Sequence, residues 1–128
     1  MYIYAFQKGA CNMTVKEVLE TLDARVLCGQ DHMERDVHNA CGADMMSDVL
    51  AFVKDQSVLL TGLCNQQVIR TAEMMDIICI VFVRGKTPDE AMIELAKGLG
   101  IVLLSTKHRM FSACGLLYEK GLRGGASN

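Results

Sequence analysis

The sequence predicts an α/β domain in which a mainly parallel sheet is flanked by helices. Three observations carry this. From Ser57 onward, strand-length apolar runs alternate with helical patterns; the runs Val58-Leu59-Leu60, Ile77 to Val83 and Ile101 to Leu104 are continuous; and the links between elements are short. A continuous apolar run of strand length belongs to a strand covered on both faces. Strand–helix–strand order with short links implies parallel pairing through right-handed crossovers.

The elements follow in order. Thr14 and Glu17 have the spacing of a capping box, and Val15, Val18, Leu19 and Leu22 continue at helical spacing. Ala24 to Cys28 is a short strand ended by Gly29, Gln30 to Asp36 a charged loop, and Asp36 to Ala40 a second short strand broken at Gly42. Asp44 is expected to cap a helix from Met45 to Lys54 with Met46, Val49, Leu50 and Val53 on its apolar face. Ser57 to Thr61 is a strand, Gly62 turns the chain, and Asn65 caps a helix with Val68, Ile69, Ala72 and Met75 as its stripe. Ile77 to Val83 is the most hydrophobic strand and is placed at the centre. Thr87-Pro88-Asp89-Glu90 predicts a helix start with Thr87 as N-cap and Pro88 at the first position. Ser105 or Thr106 is expected to cap the last helix, with Met110, Phe111, Cys114 and Leu117 facing inward, and the Gly-rich stretch from Gly121 to Asn128 to fray.

The 128 residues suit one domain, and 51% hydrophobic with 22% charged residues marks a folded chain. A net charge of -2 gives no electrostatic footprint for nucleic acid, and no polybasic run favours an anionic membrane surface. No apolar run approaches the roughly 18 residues that span a bilayer. The apolar start Tyr2 to Phe6 has no basic segment before it, so no signal peptide is expected. The 6 cysteines are scattered and lack the C-x-x-C spacing of zinc or cluster sites. Reduced thiols in the cytoplasm, with no metal and no cofactor, are the expectation.

In parallel sheets ligands gather outside the carboxyl ends of the strands. That rule selects three loops, and in them Thr61, Gly62, Cys64, Asn65, Gly85, Lys86, Thr87, Ser105 and Thr106 as candidate ligand-binding residues. All three loops precede helices, whose free N–H groups favour anions, and a helix N-terminus is also a setting that lowers the pKa of Cys64. The same residue types are ordinary caps and turns. Gly85-Lys86-Thr87 looks like the end of a phosphate-binding P-loop, but the first glycine of that motif would fall at Ile80, inside a strand. His32, His38 and His108 lack metal-ligand spacing, and no catalytic triad or acid pair is assignable.

From Met13 to about Leu122 the chain resembles the DRTGG domain family. The resemblance lies in Val58-Leu59-Leu60-Thr61-Gly62, in Ile77 to Val83 followed by Gly85 and Thr87-Pro88, and in Leu99 to Thr106 leading to Phe111. After Thr61-Gly62 the family often carries Asp-Arg-Thr-Gly-Gly, where Leu63-Cys64-Asn65-Gln66-Gln67 stands here. The resemblance implies a fold similar to the amino-terminal domain of HPr kinase/phosphorylase, with residues 1–12 as an extension, 13–122 as the domain and 123–128 as a flexible tail. It also implies a regulatory, ligand-sensing module without catalysis, homodimeric, of the kind attached to phosphotransacetylases and, with CBS domains, to pyrophosphatases. Met45, Met46, Met74 and Met75 leave room for the subunit interface, and the ligand is expected to be a nucleotide or another small anion. Short stand-alone relatives occur in anaerobes beside iron-hydrogenase systems, which makes a redox or iron–sulfur accessory the alternative. A pure interaction domain is the third reading.

Overall fold

The computed structural model describes residues 13–52 and 55–125. The expected extension 1–12, the tail end 126–128, Val53 and Lys54 lie outside the described residues. The strands are β1 (Met13–Thr14), β2 (Arg25–Cys28), β3 (Asp36–Val37), β4 (Asn39–Gly42), β5 (Ser57–Thr61), β6 (Ile77–Phe82) and β7 (Val102–Ser105). The helices are α1 (Val15–Thr21), α2 (Met46–Leu50), α3 (Gln66–Met74), α4 (Glu90–Leu99) and α5 (Met110–Glu119).

The main sheet runs β2-β7-β6-β5-β4, with β4, β5, β6 and β7 parallel and β2 antiparallel on the β7 edge. Its two faces divide the core. Val58, Leu60, Val81 and Leu104 pack with α1 and α5, whereas Leu59, Ile80, Phe82 and Leu103 pack with α2, α3 and α4. This is a three-layer α/β unit, and β5, β6 and β7 are buried throughout, as their unbroken apolar runs require. The short ribbon β1-β3 lies apart from the main sheet.

Several local expectations change. The strand expected at Asp36 to Ala40 is two strands, β3 pairing with β1 and β4 joining the main sheet. The capping box of α1 forms, with Glu17 N–H donating to Thr14 Oγ1 at 3.1 Å and Thr14 N–H to Glu17 Oε1 at 2.8 Å. Thr87 does not cap α4. Asp89 does, accepting from Met92 N–H at 2.9 Å, because a carboxylate at the start of a helix also meets the helix dipole.

Neither Ser105 nor Thr106 caps α5. Both hydroxyls are spent at the end of β7, and α5 starts after Arg109 with no side-chain cap. Of the stripe expected on α5, Leu117 is buried and Met110 and Cys114 pack partly buried against the core, whereas Phe111 is 90% exposed and Ala113 is buried beside Leu117. Met46 and Met75 belong to the core, which leaves only Met45 and Met74 of the four expected interface methionines exposed. The Gly-rich composition predicts fraying from Gly121. Instead Leu122 is buried, and Arg123 C=O accepts from Ala40 N–H at 2.8 Å on the free edge of β4. Among the described residues no helix is long and apolar enough to cross a membrane.

Candidate functional site

Because β5, β6 and β7 are adjacent and parallel, their carboxyl ends fall in register, Thr61 beside Phe82 and Phe82 beside Ser105. The loops that follow are stitched side by side. Val83 N–H donates to Thr61 C=O (3.0 Å), Gly85 N–H to Thr106 C=O (2.8 Å) and Arg84 N–H to His108 C=O (2.8 Å). Segments 61–65, 84–87 and 105–108 therefore share one edge of the molecule.

The loops do not leave their hydrogen-bonding groups open. Asp44 Oδ1 accepts from Gly62 N–H at 2.6 Å and from Thr61 Oγ1 at 3.2 Å, while Leu63 N–H donates back to Thr61 Oγ1 at 3.1 Å. Asn65 caps α3 by accepting from Val68 N–H at 3.3 Å. Ser105 Oγ donates to Lys86 C=O at 2.9 Å, and Thr106 Oγ donates to Leu22 C=O at 2.8 Å while accepting from His108 N–H. Asp44 thus occupies the anion corner at the end of β5. That is why it does not cap α2, which begins after Met45 with no side-chain cap. Beside it the Arg84 guanidinium lies over Gly62, where a Cβ would meet its nearest nitrogen at 2.6 Å.

The open space lies one step along the edge. A cleft of about 360 Å³ is walled on one side by Gly85 and Ser105 to His108, and on the other by Leu22, Asp23 and Arg25. Of the nine candidate residues, Gly85, Ser105 and Thr106 line it; Thr61, Gly62, Cys64, Asn65, Lys86 and Thr87 do not. The second wall was missed by sequence reasoning, because an antiparallel edge strand begins where its parallel neighbour ends and so brings Arg25 opposite Ser105. The signal available for it was the half-exposed composition of Arg25–Cys28, which suits an edge strand.

The electrostatics of this edge favour anions. Among the described residues the ion pairs are His32–Asp31, His38–Asp55, Arg70–Glu73 and Lys97–Glu94. Arg25, Arg84, Lys86, Lys107 and Arg109 enter none of them. The thiol expectation reverses. Burial pushes Cys64 up, with nearby Lys86 opposing and Asp89 adding to the shift. Burial likewise raises Cys28, Cys41, Cys79 and Cys114, and all five described thiols are free. Among the described residues no three His, Cys, Asp or Glu side chains converge as a metal site.

A second polar cluster sits at the opposite end of the sheet. The hydroxyl of buried Ser57 has Asn39 Oδ1 and the Asp55 carbonyl within hydrogen-bonding reach of its single proton, Asn39 Nδ2 donates to Asp55 Oδ2 at 3.1 Å, and His38 Nδ1 lies 3.0 Å from Asp55 Oδ1. His38, part-exposed, is Asp55's partner in this network.

Comparison with known proteins agrees with this architecture. A search of curated proteins finds no match. Among solved structures, the chain is similar to the CBS and DRTGG domains of the regulatory region of Clostridium perfringens pyrophosphatase, complexed with its activator, diadenosine tetraphosphate. The TM-score is 0.68 at 17% identity, and the match covers 94% of this chain and 52% of that one. This chain therefore spans about half that chain's length, and the likeness speaks for the fold. The family model of the DRTGG domain matches residues 17–119, from the first helix through the last. With the main sheet, α2 to α5 and most of α1 inside that span, the chain belongs to the DRTGG domain family.

Proposed function

We propose that this chain is a non-catalytic regulatory module that senses a small anionic ligand, a nucleotide foremost, and acts as a homodimer in the cytoplasm. The observation that carries the reading is the cleft at the carboxyl edge of the sheet, with Arg25 and Lys107 in its walls and without ion-pair partners among the described residues. Gly85, Ser105 and Thr106 share the wall with Lys107, while Thr61, Gly62 and Asn65 belong to the neighbouring loop. The related pyrophosphatase region was solved with a nucleotide activator, which lends the nucleotide class its priority. Exposed Met45, Leu50 and Met74 at α2 and α3 lie in one helical layer, and Phe111 and Tyr118 on α5 in the other, two apolar surfaces of which one would take a second copy. Five free thiols suit a reducing compartment.

The test is a thermal-shift and calorimetric titration with AMP, ATP, diadenosine tetraphosphate and inorganic pyrophosphate. A ligand at a hundred times its Kd stabilises the native state by about 2.7 kcal/mol, a rise of several degrees for a chain of this size. Saturable heat and a raised Tm with at least one probe are expected. Flat traces with all four at millimolar concentration would remove the sensor reading. Sedimentation velocity at micromolar concentration checks the dimer.

A further inference from the structure

The cleft holds one carboxylate among its cations, and the fold anchors the turn that carries it. Asp23 forms the turn between α1 and β2 with φ of 48°. Its N–H donates to Glu20 C=O at 3.2 Å, and Ala24 N–H donates to Leu19 C=O at 3.0 Å, so the turn closes on its own helix. The carbonyl just before it, of Leu22, accepts the buried Thr106 hydroxyl at 2.8 Å, and Arg25 just after it pairs with Ser105. The Asp23 backbone is thus anchored on both sides to the end of β7, across the cleft from Lys107 and His108. Among the described residues Asp23 enters no ion pair or side-chain hydrogen bond.

A carboxylate in an anion cleft is a filter. A bare polyanion brought against the cations must also approach Asp23, and like charge opposes it. A ligand that carries hydroxyl groups a few ångströms from its anionic end gives Asp23 a donor and the cations an acceptor at once. Such a charge-assisted bond is among the stronger ones, and losing it leaves a polar group unmatched. At about 360 Å³ the cleft lies at the small end of ligand pockets, the size of one nucleoside phosphate. Resting on the reading of this cleft as the ligand site, we propose that Asp23 is its specificity-determining residue and that the ligand class is a hydroxyl-bearing phosphate ester, a nucleoside or sugar phosphate, selected over inorganic phosphates.

The experiment titrates the full chain and Asp23→Asn calorimetrically with AMP, 2′,3′-dideoxy-AMP, ribose 5-phosphate and pyrophosphate. Asn is, with Asp, the non-glycine residue that best tolerates the left-handed backbone at 23, so the variant keeps its fold, and its melting curve checks this. The wild type is expected to prefer AMP over both dideoxy-AMP and pyrophosphate by about tenfold, the worth of one charge-assisted bond. In Asp23→Asn pyrophosphate tightens, AMP does not, and the preference collapses. Ribose 5-phosphate binding as well as AMP assigns the sugar phosphate, and weaker binding assigns the nucleoside. Probes that bind the wild type with a ratio unchanged in Asp23→Asn overturn this inference and leave the anion reading standing. Failure of all four to bind the wild type removes both.

Discussion

The two ends of the main sheet are built from similar residues and use them in opposite ways. At the amino ends of β4 and β5, His38, Asn39, Asp55 and Ser57 bond to one another, side chain to side chain. At the carboxyl ends of β5, β6 and β7, hydroxyls and carboxylates bond to the backbone and brace the loops, while the cations remain without partners among the described residues. A closed network contributes to stability and register and offers nothing to a ligand. An edge whose loops are braced by hydroxyls and by Asp44, and whose cations and Asp23 have no partner among the described residues, is held in shape with its charges left to solvent.

The largest expected effect lies at the closed end. Asn39 is 5% exposed and joins Ser57 to Asp55. Asn39→Leu removes the amide that joins Ser57 to Asp55 and sets an apolar side chain against the buried hydroxyl, which costs about 1–3 kcal/mol. Urea denaturation should show a lower midpoint, while AMP affinity measured on the folded protein stays as in the wild type. An equal loss of affinity would mean that the two ends are coupled and the contrast is false.

Thr106→Val tests the open end's bracing. The hydroxyl is buried and holds Leu22 C=O, so its removal costs about 1–2 kcal/mol of stability. It also frees the wall that carries Asp23 and Arg25, so AMP binding should weaken several-fold. Here stability and affinity fall together, whereas at Asn39 they separate.

The same contrast explains what was legible in the sequence. The buried strands were, because Val58 to Leu60 and Ile77 to Val83 are apolar without interruption, as strands covered on both faces are. The helix stripe Val68, Ile69, Ala72 and Met75 was legible by periodicity. The polar assignments failed where a side chain had two physically sound uses. Asp44 caps helices well and also binds a loop N–H, and the loop won because Gly62 offers its N–H at 2.6 Å. Ser105 and Thr106 are good caps, yet each found a carbonyl from a distant segment, Lys86 and Leu22. Such choices depend on contacts across many residues, which spacing along the chain does not encode. The second wall of the cleft was hidden for the same reason, since only the antiparallel docking of β2 brings Arg25 to that edge.

The middle of the sheet is a reference that belongs to neither end. Burial raises the Cys79 thiol far above its ordinary value of 9.0, whereas Cys64 at the carboxyl edge is only partly buried. A thiol whose folded pKa is raised contributes stability that is fully present below the unfolded pKa and is lost as pH rises above it. Above about pH 9 each such buried thiol should steepen the loss by up to about 1.4 kcal/mol per pH unit. Stability measured from pH 8 to 10.5 should fall less steeply in Cys79→Ala than in the wild type. Cys64→Ala should change the slope much less, and equal slopes in all three proteins would show that burial of Cys79 does not govern the alkaline limb.

The smallest stability effect is expected where the functional effect is large. Lys107 is exposed, unpaired among the described residues and set in the cleft wall. Lys107→Ala should leave stability within about 0.5 kcal/mol of the wild type, as surface changes away from caps and cores do. Losing a cation from the wall removes a charge-assisted contact, so AMP affinity should fall about tenfold. The binding should also become less sensitive to salt, because one fewer protein charge is screened. Lys97, on α4 and paired with Glu94 at 3.4 Å, serves as the control: Lys97→Ala should change neither stability nor affinity by a comparable amount. If Lys97→Ala and Lys107→Ala weaken AMP equally, the binding reflects overall charge, and the carboxyl edge loses its claim to be the site.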